Sequence, residues 1–250
     1  MCQGKPATIV WEGGSGGVGT DGDDVIVARP HADDIRISTG DGDDLLCLGG
    51  SQPPDPYYFD VRGGDGEDSI EVRLGDEPNK LQVFEFEGLD IDLGGGFDKL
   101  MIGAVHGTGS IDGGAGGAAL QIRAIRLDVN LLSETIRIDD GLYTLTHFQR
   151  VSAWAQRRLE MTGDNQDNGF RAKGCRVTLR GGGGDDVLTA TTRPYECKTP
   201  KMRLAGEGGN DRLVGSPSAD VLLGGPGRDT ADGMRGKDKC TAETERNCER

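Results

Sequence analysis

A nine-residue period governs the C-terminal part of the chain. Residues 206–241 divide into four consecutive nonads, GEGGNDRLV, GSPSADVLL, GGPGRDTAD and GMRGKDKCT, each opening on Gly and carrying Asp at its sixth place. The four carboxylates, Asp211, Asp220, Asp229 and Asp238, therefore stand nine residues apart, and two residues after each comes Leu213, Leu222, Ala231 or Cys240. The pattern recurs upstream. GGDGEDSIE at 63–71 and GGGGDDVLT at 181–189 fit it in full, and GTDGDDVIV at 19–27, TGDGDDLLC at 39–47 and LGGGFDKLM at 93–101 fit with one departure each. GGAGGAALQ at 113–121 keeps the glycines and Leu120 but has Ala118 where Asp belongs. A weaker unit ending in Asp33-Asp34 would space Asp24, Asp34 and Asp44 by ten, but it puts Arg36 where an apolar residue is expected. Self-similarity at so short a period means stacked repeats rather than a conventional globular core.

The spacing has a direct chemical reading. Each nonad supplies a six-residue turn, where glycines permit positive φ, and a three-residue strand in which alternate side chains face opposite ways. The residue two after Asp then points inward and Asp stands at the mouth of the strand. Two nonads complete one coil, and stacked coils pair as parallel strands about 4.8 Å apart. This brings Asp211 beside Asp229 and Asp220 beside Asp238, and stacks Asp24, Asp44 and Asp68 on coils of 20 and 24 residues. Two carboxylates about 5 Å apart repel by roughly 3 kcal/mol at an effective dielectric near 20. A hard divalent cation between them reverses that sign. Calcium, with 6–8 oxygen ligands and tolerance of peptide carbonyls, suits such a turn better than magnesium, which demands a tight octahedron.

Composition agrees once position is considered. The chain of 250 residues holds 43 Gly, 29 Asp and only 13 Glu, with a net charge of −14 and 5% aromatics. Taken alone, these figures resemble a disordered chain; the fixed spacing says otherwise. They disfavour a helical bundle and nucleic acid as a default partner. The glycines follow no collagen period, and no apolar run is long enough for a membrane-spanning helix.

The GGxGxDx(apolar)x units resemble the repeats-in-toxin (hemolysin-type) calcium-binding family, and GGPGRDTADGMRGKDKCTAETERNCE at the C-terminus and CQGKPATIV at 2–10 look like the ends of secreted actinobacterial calcium-binding proteins. The resemblance implies an all-β, right-handed parallel β-roll or β-helix (a β-solenoid) with calcium in its turns. The ligand set expected from it and from the spacing is Asp21, Gly22, Asp24, Asp41, Gly42, Asp44, Asp65, Asp68, Asp98, Gly183, Asp186, Gly208, Asp211, Asp220, Gly227, Asp229 and Asp238. Six cysteines allow 15 pairings. Pairing neighbours in sequence gives Cys2–Cys47, Cys175–Cys197 and Cys240–Cys248, the first and third stapling the ends; free buried thiols are the alternative. Met1-Cys2 looks like an expression start in place of a removed leader, which fits an extracellular protein that folds where calcium is abundant.

Three segments are expected: calcium-binding coils over 1–71, irregular central coils with longer loops over 72–180, and calcium-binding repeats with a cap over 181–250. In the middle, Leu81 to Phe86, Ile122 to Val129 and Thr135 to Ile138 alternate as half-buried strands. RVSAWAQRRLEM at 150–161 reads as a further rung, and SQPPDPYYFD at 51–60, with three prolines, as a protruding loop or poor strand. His31, His106 and His147 stand alone, the last in an expected strand, and no GxSxG, HExxH or phosphate-binding loop is present. No catalytic residue is assigned. The expected role is structural or interactive, with calcium ions as partners. A calcium-dependent polysaccharide lyase or glycosidase on a β-helix and an adhesin or surface-layer module are the alternatives. Arg123, Arg126, Arg137, Arg150, Arg157, Arg158 and Arg171 are candidates for a face that meets an extracellular glycan or cell-surface polymer.

Overall fold

The computed structural model describes residues 1–12, 18–28, 34–48, 57–72, 83–102, 104–192 and 197–249. Among them the chain is all β, with no helix. The strands in order are β1 Ile9–Trp11, β2 Val25–Ala28, β3 Asp34–Ser38, β4 Leu45–Leu48, β5 Tyr57–Arg62, β6 Ser69–Val72, β7 Val83–Asp92, β8 Asp98–Ile102, β9 Ala104–Asp112, β10 Ala118–Asn130 and β11 Thr135–Ile138. They continue with β12 Gly141–Thr146, β13 Phe148–Thr162, β14 Gly169–Gly174, β15 Arg176–Gly183, β16 Val187–Thr191, β17 Lys201–Gly208, β18 Arg212–Val214, β19 Asp220–Leu223, β20 Thr230–Asp232, β21 Lys239–Thr241 and β22 Thr244–Arg246. Contacts divide them into two units: Met1–Arg123 with Arg137–Phe148, and Ala124–Ile136 with Gln149–Arg250.

In the first unit the strands pair in parallel along two ladders. One runs β1, β2, β4, β6, β8, β10 and the other β3, β5, β7, β9, β12. The register stacks Ile26, Leu46, Ile70, Leu100 and Leu120 on one ladder and Ile37, Val61, Ile91, Ile111 and Leu145 on the other, all buried. Each member of the first column lies two residues after the sixth place of its nonad, so the inward position expected from the repeat is the one observed. A Leu or Ile so buried contributes about 1.5–3 kcal/mol.

The second unit repeats the arrangement. Its ladders are β13, β14, β16, β18, β20, β22 and β13, β15, β17, β19, β21. Phe170, Leu188, Leu213 and Ala231 form one buried column, and Leu204 and Leu222 another that ends on the Cys240 side chain. The 150–161 segment is a rung within β13, as its sequence suggests.

Three disulfides join Cys2 to Cys47, Cys175 to Cys197 and Cys240 to Cys248, at Cα separations of 5.6, 5.3 and 5.8 Å, and no cysteine is free. Of the stretch 51–60, expected as a protruding loop or poor strand, residues 57–60 open β5, which pairs with β3 and, across an irregularity at Tyr57/Tyr58, with β7. Two local expectations need correction. Asp34 opens β3 and pairs with Tyr58, so it stands on the ladder opposite to Asp24 and Asp44. His147 sits in a bend at φ 59°, outside any strand. His31, Asp33, residues 51–56 and Leu81-Gln82 lie outside the described residues.

Candidate metal centres

The sixth-place residues form three hydrogen-bonded columns. In the first unit the backbone N–H of Asp24 donates to Asp44 Oδ1 (2.8 Å), that of Asp44 to Asp68 Oδ1 (3.0 Å) and that of Asp68 to Asp98 Oδ1 (2.8 Å). The second unit holds a column from Asn168 to Asp186 (2.8 Å), Asp186 to Asp211 (2.9 Å) and Asp211 to Asp229 (2.8 Å), closed by Asp229 donating to Glu243 Oε2 (2.8 Å). The shorter third column has Asp220 donating to Asp238 Oδ1 (2.8 Å). Ala118 pairs with Asp98 in register but has no carboxylate, and there the first column stops.

Each column has one opener and one or more followers, and the two differ chemically. The openers are satisfied by their own or neighbouring turns. Asp24 Oδ2 accepts the Thr20 N–H (2.8 Å) and hydroxyl (2.9 Å), and its Oδ1 accepts Thr8 (3.0 Å). Asn168 Oδ1 accepts the Asp164 N–H (2.9 Å), and Asp220 accepts the Ser216 N–H (2.5 Å) and hydroxyl (3.1 Å). The followers use Oδ1 in the column and leave Oδ2 with nothing. Seven such oxygens, on Asp44, Asp68, Asp98, Asp186, Asp211, Asp229 and Asp238, are buried without a hydrogen-bond partner. An unmet buried polar atom costs about 1–3 kcal/mol, and more when charged.

The second place of the turn separates the two kinds. It holds Thr20, Asp164 or Ser216 in the openers. In the followers it is Gly40, Gly64, Gly94, Gly182, Glu207, Gly225 or Met234, all at positive φ. A left-handed second residue leaves its N–H unbonded to the turn's own carboxylate. The first place matters for space. A Cβ on Gly206 would fall inside bonding range of Asp211 Oδ2, and Gly63, Gly181 and Gly224 stand in the same relation to Asp68, Asp186 and Asp229. Gly206→Ala should therefore dislodge Asp211 and cost about 1–3 kcal/mol as an overpacked site. Gly208→Ala in the same turn, where a new Cβ meets only a carbonyl oxygen at 3.7 Å, should stay within about 0.5 kcal/mol of wild type. Thermal melts of the two variants in calcium check the contrast.

Burial drives the followers' titration. It pushes Asp68 and Asp186 up to about 7 and Asp98 up to about 6, and raises Asp44, Asp211 and Asp238. Asp220 rises to about 6 for the same reason, despite its bonds from Ser216. Burial also acts on Asp24, but the bonds from Thr20 and Thr8 outweigh it and hold that carboxyl below the ordinary value. The sign for stability follows. Without metal, the folded state keeps protons that the unfolded chain, with carboxyls near 3.9, has released. Stability of the metal-free protein should then be greatest near pH 4 and fall as pH rises through 6 to 7. Urea melts in chelator at pH 4.5 and 7.5 read this directly; greater stability at pH 7.5 would contradict it.

A second, outer ladder runs through the fifth places, in the opposite sense. The N–H of Asp43 donates to Asp23 Oδ1 (3.0 Å), Glu67 to Asp43 (2.8 Å), Asp185 to Asp167 (2.7 Å), Asn210 to Asp185 (2.7 Å) and Arg228 to Asn210 (3.0 Å). These exposed residues were not on the expected ligand list, although the doublets Asp23-Asp24, Asp43-Asp44 and Asp185-Asp186 signal them. Asp21, Asp41 and Asp65 stand exposed at the third place and join neither ladder among the described residues. Gly42 lies at φ 110° and donates to the Asp65 carbonyl (2.7 Å), Gly183 donates to Asp164 (2.8 Å) and pairs with Gly208, and Gly227 lies at φ 151° against the Gly209 carbonyl. Gly22 is exposed and its carbonyl accepts the Thr20 hydroxyl (3.3 Å). Away from the columns, His147 Nδ1 meets Asp112 Oδ1 at 2.6 Å on the surface.

The donor set suits a hard cation: buried carboxylate oxygens lacking partners, beside glycine turns rich in peptide oxygens. Among the described residues no three His, Cys, Asp or Glu side chains converge on one point, so a cation here must draw on peptide oxygens as well. That combination defines a class, a parallel β protein with cation-binding turns. Residues 177–191 and 205–240 match the RTX calcium-binding nonapeptide repeat, in four copies. The chain thus carries RTX repeats, and RTX nonapeptide repeats bind Ca2+. No curated protein matches the chain. Among the described residues no helix is long and apolar enough to cross a membrane.

Proposed function

We propose that the protein is a secreted, calcium-stabilised β-solenoid with a structural or interactive role and no catalysis of its own. The observation that carries this reading is the set of seven buried, unpartnered Oδ2 atoms. The followers Asp44, Asp68 and Asp98, Asp186, Asp211 and Asp229, and Asp238 are assigned as carboxylate ligands, with peptide oxygens from turns such as those of Gly22, Gly42, Gly183, Gly208 and Gly227. Asp24 and Asp220 head their columns with oxygens already engaged, and Asp21, Asp41 and Asp65 take a lesser, solvent-facing part. A bound cation would offset the charge that burial now penalises. Right-handed winding is expected, since parallel crossovers take that hand in about 98% of cases. The first column runs from the N-terminal segment, 1–71, into the central segment, 72–180, at Asp98, the others lie mainly in the C-terminal segment, 181–250, and the remaining central coils would be held mainly by apolar packing.

Isothermal titration tests the assignment. Calcium should bind at several sites and magnesium far more weakly; equal response to both ions would overturn it. The alternative of a polysaccharide-active enzyme predicts release of reducing ends from acidic glycans, and the proposed reading predicts none.

A further inference from the structure

We infer that the outward face of β13, β14 and β16 in the second unit binds a linear polysaccharide bearing carboxylates. The register places Trp154, Lys173 and Thr191 side by side, Ser152, Arg171 and Thr189 beside them, and Arg150, Gly169 and Val187 in the next row. All alternate with buried Val151, Ala153, Phe170, Ala172, Leu188 and Ala190, so they share the outer face. None of these nine positions is acidic, in a chain with 42 acids among 250 residues, where one or two would be expected by chance.

Charge is partitioned the same way. The first unit holds nine Lys/Arg against 25 Asp/Glu, a net of −16, and the second 19 against 17, a net of +2, which together give −14. Within that less acidic unit, Arg171 and Lys173 lie two residues apart on one strand. Neither has an ion-pair partner among the described residues. A guanidinium and an ammonium so placed suit carboxylates, the former by bidentate pairing. The half-buried Trp154 offers an indole to the apolar face of a sugar ring, and Ser152 and Thr189 add hydroxyls. Nucleic acid fits less well. It carries one charge per about 1.7 Å of duplex axis and, as a single strand, uses successive aromatic platforms, of which this grid has one.

The test uses the full chain in calcium, with polygalacturonate, neutral dextran and single-stranded DNA as separate probes in affinity electrophoresis. Polygalacturonate should retard the wild type in a salt-sensitive manner and dextran should not. Arg171→Glu with Lys173→Glu should weaken retention at least tenfold, and Lys201→Glu with Arg203→Glu, exposed on β17 of the other ladder, should leave it unchanged. Melting in calcium verifies that each variant folds; Arg171→Gln with Lys173→Gln replaces the reversal variant if that one melts early. Absence of retention by polygalacturonate, equal loss in both double variants, or equally tight binding of DNA would each overturn the inference. The inference is separate from the calcium reading: an absent calcium response in circular dichroism would end that reading, and the retention result would still decide this one.

Discussion

Chelation should unfold much of this protein. In excess EGTA the far-ultraviolet β signal is expected to fall and the melting temperature to drop by tens of degrees, with recovery on adding calcium. The magnitude follows from linkage: a site at 100 times its dissociation constant adds about 2.7 kcal/mol, and for a chain of this size each kcal/mol moves the midpoint by about 2–4 °C. Seven unpartnered carboxylate oxygens distributed over three columns place several such contributions in one molecule. The three disulfides would keep the chelated chain tethered, so refolding should be reversible while they are intact. An EGTA melt that overlays the calcium melt would refute the calcium dependence.

The second large effect is a reversal of sign. Asp211→Asn should lower the melting temperature in calcium and raise it in EGTA at pH 8. Asn retains a side-chain oxygen for the Asp186 N–H (2.9 Å in wild type), as Asn168 shows by holding a sixth place without a charge. What it removes is the charge whose burial raises the Asp211 carboxyl. Without metal that charge opposes folding, and under the proposed assignment it becomes the ligand when metal is present. Calcium and EGTA melts of the same variant, compared with wild type, read both signs. Destabilisation in both conditions would mean that Asp211 acts through hydrogen bonding alone.

Much of the fold was readable in the period. Gly at the first place and an apolar residue at the eighth gave the turn, the strand and the buried column from Ile26 to Leu120. The stacking of Asp24, Asp44 and Asp68 and the pairs Asp211–Asp229 and Asp220–Asp238 were legible for the same reason, whereas the extension to Asp98 and the links through Asn168 and Asp186 came only from the structure. The division of labour among the aspartates was not legible. Asp24 and Asp44 look alike in sequence, and the N–H and hydroxyl of Thr20 with the hydroxyl of Thr8, against a left-handed Gly40, make one satisfied and the other not. The acid excess also had a second origin, since Asp23, Asp43, Asp167 and Asp185 serve a backbone ladder that requires no cation. Asp34 failed because Arg36, two residues on, is exposed, and the buried column of that ladder takes Ile37 instead. The strand at 57–62 was obscured by prolines just before it, a one-sided penalty that sequence averaging spreads too far.

The columns keep one more record, in their spacing. Successive members lie 20, 24 and 30 residues apart in the first unit and 18, 25 and 18 in the second, yet every hydrogen bond between them is 2.8–3.0 Å. The contact joins one peptide to one carboxylate, so it is indifferent to the length of chain that travels round between them, and loop-closure entropy grows only slowly with that length. Within each unit the column is the constant part, and the number of residues between its members is the variable one. Sequence of differing length is thus accommodated between turns while the column stays in register, which makes each unit a scaffold on which surfaces can diversify.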